Sequence, residues 1–353
     1  MPPSTQRATP RSTAGAAHCR RWRRMLLSAL LVAPLAAVSP LASAAPNPAK
    51  TVVYRDTLKA PRFWQAPVWS ESRLTLSPLG PDQPVFRGPF QAQPVTLSLA
   101  KLPAHAWVRV RFKLLLIGSW DGSSPVWGPD LWSLQVRGGQ RLIFTSFGNL
   151  GAFANNNLQA FPDEYPWGRH PAWTGAASKD VLHFPKLSGG STLAAELNDS
   201  TYPVEVLFRH SAAALVLDFT GIYGDGAQDR QSWGLADVEV EALHDLPQAD
   251  DDALLAHWEQ LASADPIRAN AALWALVAAG ERATALITRK VAEVSAEVAS
   301  QERGLPPVTG LEALRLHRAR RILLLLNFPE PNPGAAISRL IPEFYDDPDA
   351  PQN

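Results

Sequence analysis

The stretch Ser119-Trp120-Asp121-Gly122, followed by Gly128-Pro129-Asp130-Leu131-Trp132, decides the fold predicted for this chain. It connects two segments in which apolar and polar residues alternate, residues 107–116 and 132–136. Alternation with a period of two is typical of a half-buried β-strand, and Gly and Asp between strands are typical of turns. The stretch therefore predicts a loop rich in Trp, Gly and Asp at one end of a β-sheet.

Further alternating segments extend this prediction to a whole domain. They are residues 95–99, 141–145, 204–208, 215–219 and 238–240. Gly138-Gly139 predicts a hairpin turn between two of the strands. Seven or more short strands, with no helical periodicity between them, predict an antiparallel β-sandwich or jelly roll over residues 45–246.

After the predicted sandwich the periodicity becomes helical. Three aspartates at 250–252 suit the positive end of a helix dipole, and Asp265-Pro266 predicts the start of a second helix. Gly280 predicts the end of that helix. The fold class is therefore mainly β plus α, with a small α-helical hairpin domain over residues 247–345 and a disordered tail at 346–353.

The N-terminus has the three parts of a secretory signal. Four arginines between residues 20 and 24 precede an apolar run at 25–38, and Ala42-Ser43-Ala44 has the small-x-small form of a cleavage site. The apolar run is short for a membrane span. We predict a cleaved signal over residues 1–44 and a soluble protein that is secreted, periplasmic or in the cell envelope. A retained N-terminal anchor is the alternative.

Cleavage of that segment changes the charge and the cysteine content. It removes six arginines and no acidic residue, so the formal charge falls from zero to −6. A mildly acidic protein is a poor nucleic-acid binder, because phosphate binding needs a surplus of Lys and Arg. The single cysteine, Cys19, is lost with the signal, so neither a disulfide nor thiolate chemistry is expected.

Several motifs of the predicted sandwich resemble a family of exported β-sandwich domains common in planctomycete-like bacteria. The matching segments are Ser119 to Gly122, Gly128 to Trp132, Thr145 to Asn149, Gln159 to Pro162, His210, and Ser232 to Val238. The resemblance implies a β-sandwich in an exported setting.

Two departures affect what the resemblance implies about a site. Arg230-Gln231 stands where the family has Asp-Glu, and Ala236-Asp237 stands where it has Asp-Asn. A site that uses those acids would have lost ligands here. The C-terminal segment is similar to HEAT-like helical repeats through residues 271–280 and 318–330, which implies a docking surface for a protein partner.

Asp121, Asp130 and Asp237 are the candidate metal ligands. Calcium prefers several oxygen ligands, which carboxylates and loop carbonyls supply. These residues, with Asn149 or Asp229, predict a calcium site. The alternative is that the aspartates form Asx turns and cap loops.

Five tryptophans are the candidate ligand-binding residues, because flat aromatic faces pack against the apolar faces of sugar rings. They are Trp120, Trp127, Trp132, Trp167 and Trp173. The alternative is packing in the core and loops, since tryptophan is usually largely buried.

Asp237, Glu239 and Glu241 place three carboxylates on one face of a strand. Some sandwich glycosidases use two acidic residues held at a fixed separation, and two of these three carboxylates could act in this way. The alternative, which we favour, is the solvent face of a last strand with Val238 and Val240 directed inward.

One predicted helix is basic. It carries Arg315, His317, Arg318, Arg320 and Arg321. This face could dock an acidic partner, but it more often indicates a solvated face.

Together these features predict an exported, non-catalytic binding protein. Its sandwich would bind carbohydrate or another surface ligand, with calcium as an assisting cation, and its helical tail would dock a protein partner. A glycoside hydrolase that uses Asp237, Glu239 and Glu241, and a purely structural envelope protein, are the alternatives.

Overall fold

The computed structural model describes residues 50–56, 69–71, 74–76, 85–149, 158–182, 199–224, 231–300 and 310–326. The predicted signal segment and the predicted C-terminal tail lie outside the described residues.

Within these residues the chain forms thirteen strands followed by four helices. The strands are β1 (Lys50–Arg55), β2 (Leu74–Leu76), β3 (Val85–Phe90), β4 (Val95–Ala100), β5 (Trp107–Gly118), β6 (Leu131–Val136), β7 (Arg141–Ser146), β8 (Leu158–Gln159), β9 (His170–Pro171), β10 (Ser178–Lys179), β11 (Asp199–Arg209), β12 (Ala214–Ile222) and β13 (Gln231–Leu243). The helices are α1 (Asp251–Gln260), α2 (Pro266–Ala278), α3 (Glu281–Ser300) and α4 (Gly310–Leu326).

The longer strands form two antiparallel sheets. In the larger sheet the order is β10-β11-β5-β13-β3-β2, and β1 also pairs with β13. In the smaller sheet the order is β4-β12-β6-β7, while β8 and β9 form a separate pair. The predicted hairpin between β6 and β7 is confirmed, with the Gly139 amide bonded to the Val136 carbonyl at 2.8 Å.

Strand β5 lies at the centre of the larger sheet, and its sequence explains its position. Alternate residues of this strand, from Val108 to Leu116, are almost fully buried, while the side chains of Arg109, Arg111 and Lys113 are partly exposed. This is the alternation that the sequence predicts for one buried and one solvated face.

The inner faces of the two sheets pack through aromatic rings. The ring of Phe112 on β5 lies 5.7 Å from Trp132 on β6 and 5.8 Å from Phe219 on β12. Trp132 also packs edge-on against Trp233 on β13, at 5.9 Å. These contacts join the two sheets face to face, so the predicted antiparallel β-sandwich followed by helices is confirmed.

The helices begin and end where their capping residues lie. The Asp250 side chain accepts a hydrogen bond from the Ala253 amide at 2.7 Å, and that of Asp265 accepts one from the Ile267 amide at 2.9 Å. Gly280 follows the end of α2 with a φ of 58°, a left-handed conformation that favours glycine. The predicted helix ends are thus set by local chemistry.

Buried residues of the helices belong to the same hydrophobic core as the sandwich. Helices α2 and α4 both pack against β11. None of the described helices is long and apolar enough to cross a membrane alone. Helices α2 and α3 pass such a test only as a pair, with a bend of 119° between them.

Candidate functional site

The connection between β5 and β6 is a loop, residues 119–130, held at its base by main-chain hydrogen bonds. The Asp130 amide donates to the Gly122 carbonyl at 2.9 Å, and the Gly122 amide donates to the Phe147 carbonyl at 3.0 Å. Asp121 also forms a bridge with Gly148. These bonds fix both ends of the loop to the end of β7.

Asp130 is the fully buried centre of that base. Its carboxylate accepts hydrogen bonds from the Asp121 amide at 2.5 Å, from the Gln231 side-chain amide at 2.9 Å and from the Gly224 amide at 3.4 Å. Burial raises the pKa of Asp130 to about 7, although these donors oppose the shift. Among the described residues no cationic side chain acts on it.

The tip of the loop is its exposed part. Val126 is 72% exposed and Trp127 is 70% exposed, and both amides lie 3.3 Å from the Ser124 hydroxyl oxygen. Beneath the tip, a Cβ added at Gly224 would lie 2.9 Å from the Gly128 Cα, so the close approach of the two backbones requires glycine at position 224. The structure therefore presents one exposed indole on a fixed support.

The five candidate tryptophans do not form one platform. Trp120 and Trp132 are fully buried in the core. The ring of Trp167 stacks on His317 at 4.5 Å. Trp173 donates from its indole to the Asn149 side chain at 2.9 Å. Trp127 alone of the five is largely exposed.

Asp237 does not lie with the other two candidate metal ligands. It sits on β13 six residues beyond Gln231, which corresponds to roughly 20 Å of extended strand. Its carboxylate is 2.8 Å from the Lys113 ammonium. Among the described residues no group of three or more His, Cys, Asp or Glu side chains is placed to hold a metal ion. Calcium binding stays a prediction.

Asn149 and Asp229 are the two further residues predicted as calcium ligands. Asn149 is fully buried and uses both ends of its amide, donating to the Gly118 carbonyl and accepting from Trp173. Asp229 lies outside the described residues.

The acidic face of β13 is paired with basic residues of neighbouring strands. Glu239 lies 3.4 Å from Arg111, and Glu241 lies 3.1 Å from both Arg111 and Lys50. Burial raises the pKa of Glu241, but the Lys50 hydrogen bond and the Arg111 charge outweigh it and lower the pKa. A general acid of a glycosidase needs a raised pKa. Val238 and Val240 are buried as predicted for a solvent face with paired charges, but the prediction is wrong for Glu241, which is itself buried beneath its basic partners.

Two histidines that are far apart in the sequence meet near the start of β5. Nε2 of His105 lies 2.8 Å from Nδ1 of His210, and the rings stack at 5.1 Å. Burial and the neighbouring His105 lower the pKa of His210. The contact joins the residue that follows β11 to the segment that precedes β5.

A buried ionic cluster, which the sequence did not predict, joins α4 to the loop after β8. Asp163 is 3% exposed and Arg318 is 1% exposed, and two hydrogen bonds of 2.6 and 2.7 Å connect them. His170 adds a third contact to Asp163 at 2.8 Å. Burial raises the pKa of Asp163, but the bonds from Arg318 and His170 outweigh it and lower the pKa to about 2.

The interpretation of the basic face of α4 as a solvated face was therefore wrong for its central residues. Arg318, Arg321 and His317 are all buried against the sandwich. The signal that was missed is the apolar run from Ile322 to Leu326, because a helix that is apolar all round is a buried helix. Arginines on a buried helix need partners: Arg318 has the Asp163 carboxylate, and Arg321 has two main-chain carbonyls.

A comparison of the chain with protein-family models found no match, and neither did a comparison with curated proteins. The resemblance to the exported β-sandwich family, and that of the helices to HEAT-like repeats, therefore stay predictions.

Proposed function

We propose that this protein is an exported, non-catalytic binding protein whose sandwich recognises carbohydrate through the tip of the loop at residues 119–130. The observation that carries the proposal is the exposure of Trp127, at 70%, on a loop whose base is fixed by the buried Asp130. Trp is costly to leave in water, and it is enriched among the residues that dominate binding energy.

The surroundings of Trp127 suit a sugar ring. Val126 extends the apolar surface, while Ser123, Ser124 and Asp121 are partly exposed nearby in the same loop. A pyranose offers an apolar face to an indole and hydroxyl groups to such oxygen atoms. A fixed loop also adds affinity, because little conformational entropy is lost on binding.

The proposal is tested by screening the purified protein against a glycan array, with titration calorimetry on the best oligosaccharide. We expect Trp127→Ala to weaken binding at least tenfold. Leu255→Ala is the matched control, because Leu255 is also an exposed apolar residue, at 43%, but lies on α1. Equal binding by Trp127→Ala would contradict the proposal.

Calcium dependence is measured in the same titrations, with calcium and with excess chelator. If calcium assists binding, the affinity falls on chelation and Asp121→Asn abolishes the difference. Asp121 is the residue to change, because it is half-buried whereas Asp130 is fully buried and already accepts three N–H donors.

The alternatives give different results in this experiment. A glycoside hydrolase would turn over a polysaccharide and lose that activity in Glu239→Gln. A structural envelope protein would bind no glycan on the array.

A further inference from the structure

Arg321 on α4 is a buried arginine whose charge is not paired with a carboxylate. It is 8% exposed, and its guanidinium donates to the Leu142 carbonyl at 3.0 Å and to the Pro162 carbonyl at 3.3 Å. A guanidinium carries five N–H donors. Among the described residues these two carbonyls are the hydrogen-bond acceptors of Arg321, so three donors remain.

The nearest acidic groups are already used elsewhere. Asp163 is held by Arg318 and His170, and Glu164 lies 3.5 Å from Arg141. Burial lowers the pKa of Arg321, although the charges of Glu164 and Asp163 oppose this shift. Among the described residues no carboxylate forms an ion pair with Arg321, and a buried charge without a paired carboxylate is costly, so this position favours an added anion.

A cavity lies beside this guanidinium. Its volume is about 30 Å³, and Arg321, Asn270, Trp274 and Glu205 are among the residues that line it. A bound water needs roughly 10–15 Å³ of such space, so the cavity has room for about two oxygen-sized groups. Glu205 is exposed and Asn270 is partly exposed, so the cavity lies next to the surface.

The walls of the cavity suit a planar group. The Arg321 guanidinium lies over the Trp274 ring, 5.7 Å from its centroid. The side-chain amide of Asn270 brings a further N–H donor to the lining. The carboxylate of Glu205 is held by Arg109 at 3.1 Å and Arg111 at 2.7 Å, so its charge is compensated on the adjacent face.

We infer that this cavity is a binding site for a small carboxylate, which accepts hydrogen bonds from the free donors of Arg321. The guanidinium forms two parallel hydrogen bonds with a carboxylate, a geometry that a spherical halide cannot use. The site lies between α2, α4 and the sandwich, well separated in sequence from the loop that carries Trp127. It is independent of the carbohydrate proposal.

The test is thermal unfolding of the full chain in sodium acetate and in sodium chloride at equal ionic strength. A ligand that binds only the folded state raises the midpoint. At an acetate concentration ten times the dissociation constant, we expect a rise of about 2–5 °C over chloride. An equal effect of chloride, or no effect of acetate, would overturn the inference.

Two variants assign the effect to the cavity. Asn270→Leu keeps Arg321 and its contacts with the sandwich, but fills the space and removes an amide, so the acetate effect should disappear. Arg268→Gln removes an exposed positive charge from the same helix and should keep the effect. If Asn270→Leu responds to acetate like the unchanged protein, Arg321 only caps the carbonyls at the edge of β7.

Discussion

Three aspartates are buried among the described residues, and the surroundings of two of them, Asp130 and Asp163, shift their pKa values in opposite directions. Asp130 is fully buried and accepts hydrogen bonds from amide groups only. Asp163 is almost equally buried, but its partners are Arg318 and His170. Burial raises the pKa of Asp130 to about 7, whereas the two basic partners bring that of Asp163 to about 2.

The difference teaches that burial alone does not decide the role of a carboxylate. The amide donors around Asp130 come from its own loop and from Gly224 and Gln231, so Asp130 fixes the loop to the segment after β12 and to the start of β13. The guanidinium at Asp163 comes from a helix 155 residues away, so that pair fixes the helices to the sandwich. One aspartate supports a proposed binding loop, and the other supports the tertiary arrangement.

The largest expected effect comes from breaking the pair at Asp163. Arg318→Met leaves a buried carboxylate without its main partner, which should lower the free energy of unfolding by about 3–5 kcal/mol. Denaturant unfolding measures the change. Arg289→Met, at an exposed ion pair with Glu293, is the matched control and should change stability by less than about 1 kcal/mol. A similar small change in both variants would mean that the buried pair does not hold the helices.

A second effect concerns His317, next to that pair. Burial lowers its pKa to about 3, so the unfolded chain binds a proton below pH 6.5 and the folded chain does not. Stability should therefore fall between pH 6.5 and 3, by on the order of 3 kcal/mol from this group. In His317→Gln the fall should be smaller. Denaturant midpoints at pH 6.5 and 4 test this, with exposed His244→Gln as a control that keeps the full slope.

Asp130 should produce the opposite pH dependence. Its folded pKa of about 7 lies above its ordinary value of 3.8, so its contribution is present below pH 3.8 and is lost as the pH rises to 7. Relative to Asp130→Asn, the unchanged protein should lose about 3 kcal/mol between pH 4 and 7. Unfolding of both proteins across this range gives the difference, and a constant difference would contradict the raised pKa.

The smallest expected effect on stability is at the exposed tip of the loop at residues 119–130, whose base contains Asp130. Trp127→Ala removes an exposed ring, so the free energy of unfolding should change by less than about 0.5 kcal/mol. Trp132→Ala is the comparison, because Trp132 lies in the core and its removal should destabilise the protein by about 3–5 kcal/mol. A large loss of stability in Trp127→Ala would show that the indole supports the fold.

The strands of the sandwich and the ends of the helices were predictable, because strand alternation and helix caps are local signals. The pattern on β5 matches its observed burial, and Asp250, Asp265 and Gly280 cap the helices as their positions predict. The candidate site was only partly predictable. The sequence marks Trp120 and Trp127 alike, and loop conformation alone decides that one is buried and the other exposed.

The ionic cluster was not predictable from the same signals. Asp163 lies in a segment without strand or helix periodicity. Arg318 belongs to a helix rich in basic residues, a composition that suggested a solvated face. Their pairing depends on the packing of α4 against the sandwich, which joins residues far apart in the chain. The apolar run after Arg321 indicated burial of the helix, but it did not indicate the acidic partner.

The most direct test of this account is to measure the ionisation of both aspartates in one sample. Carbon-13 NMR of the carboxyl groups, recorded from pH 2 to 9 and assigned with Asp130→Asn and Asp163→Asn, gives each pKa separately. We expect Asp130 to titrate near pH 7 and Asp163 near pH 2. If both titrate near pH 4, the two environments do not differ as described, and the proposed roles of the loop base and the helix contact are contradicted.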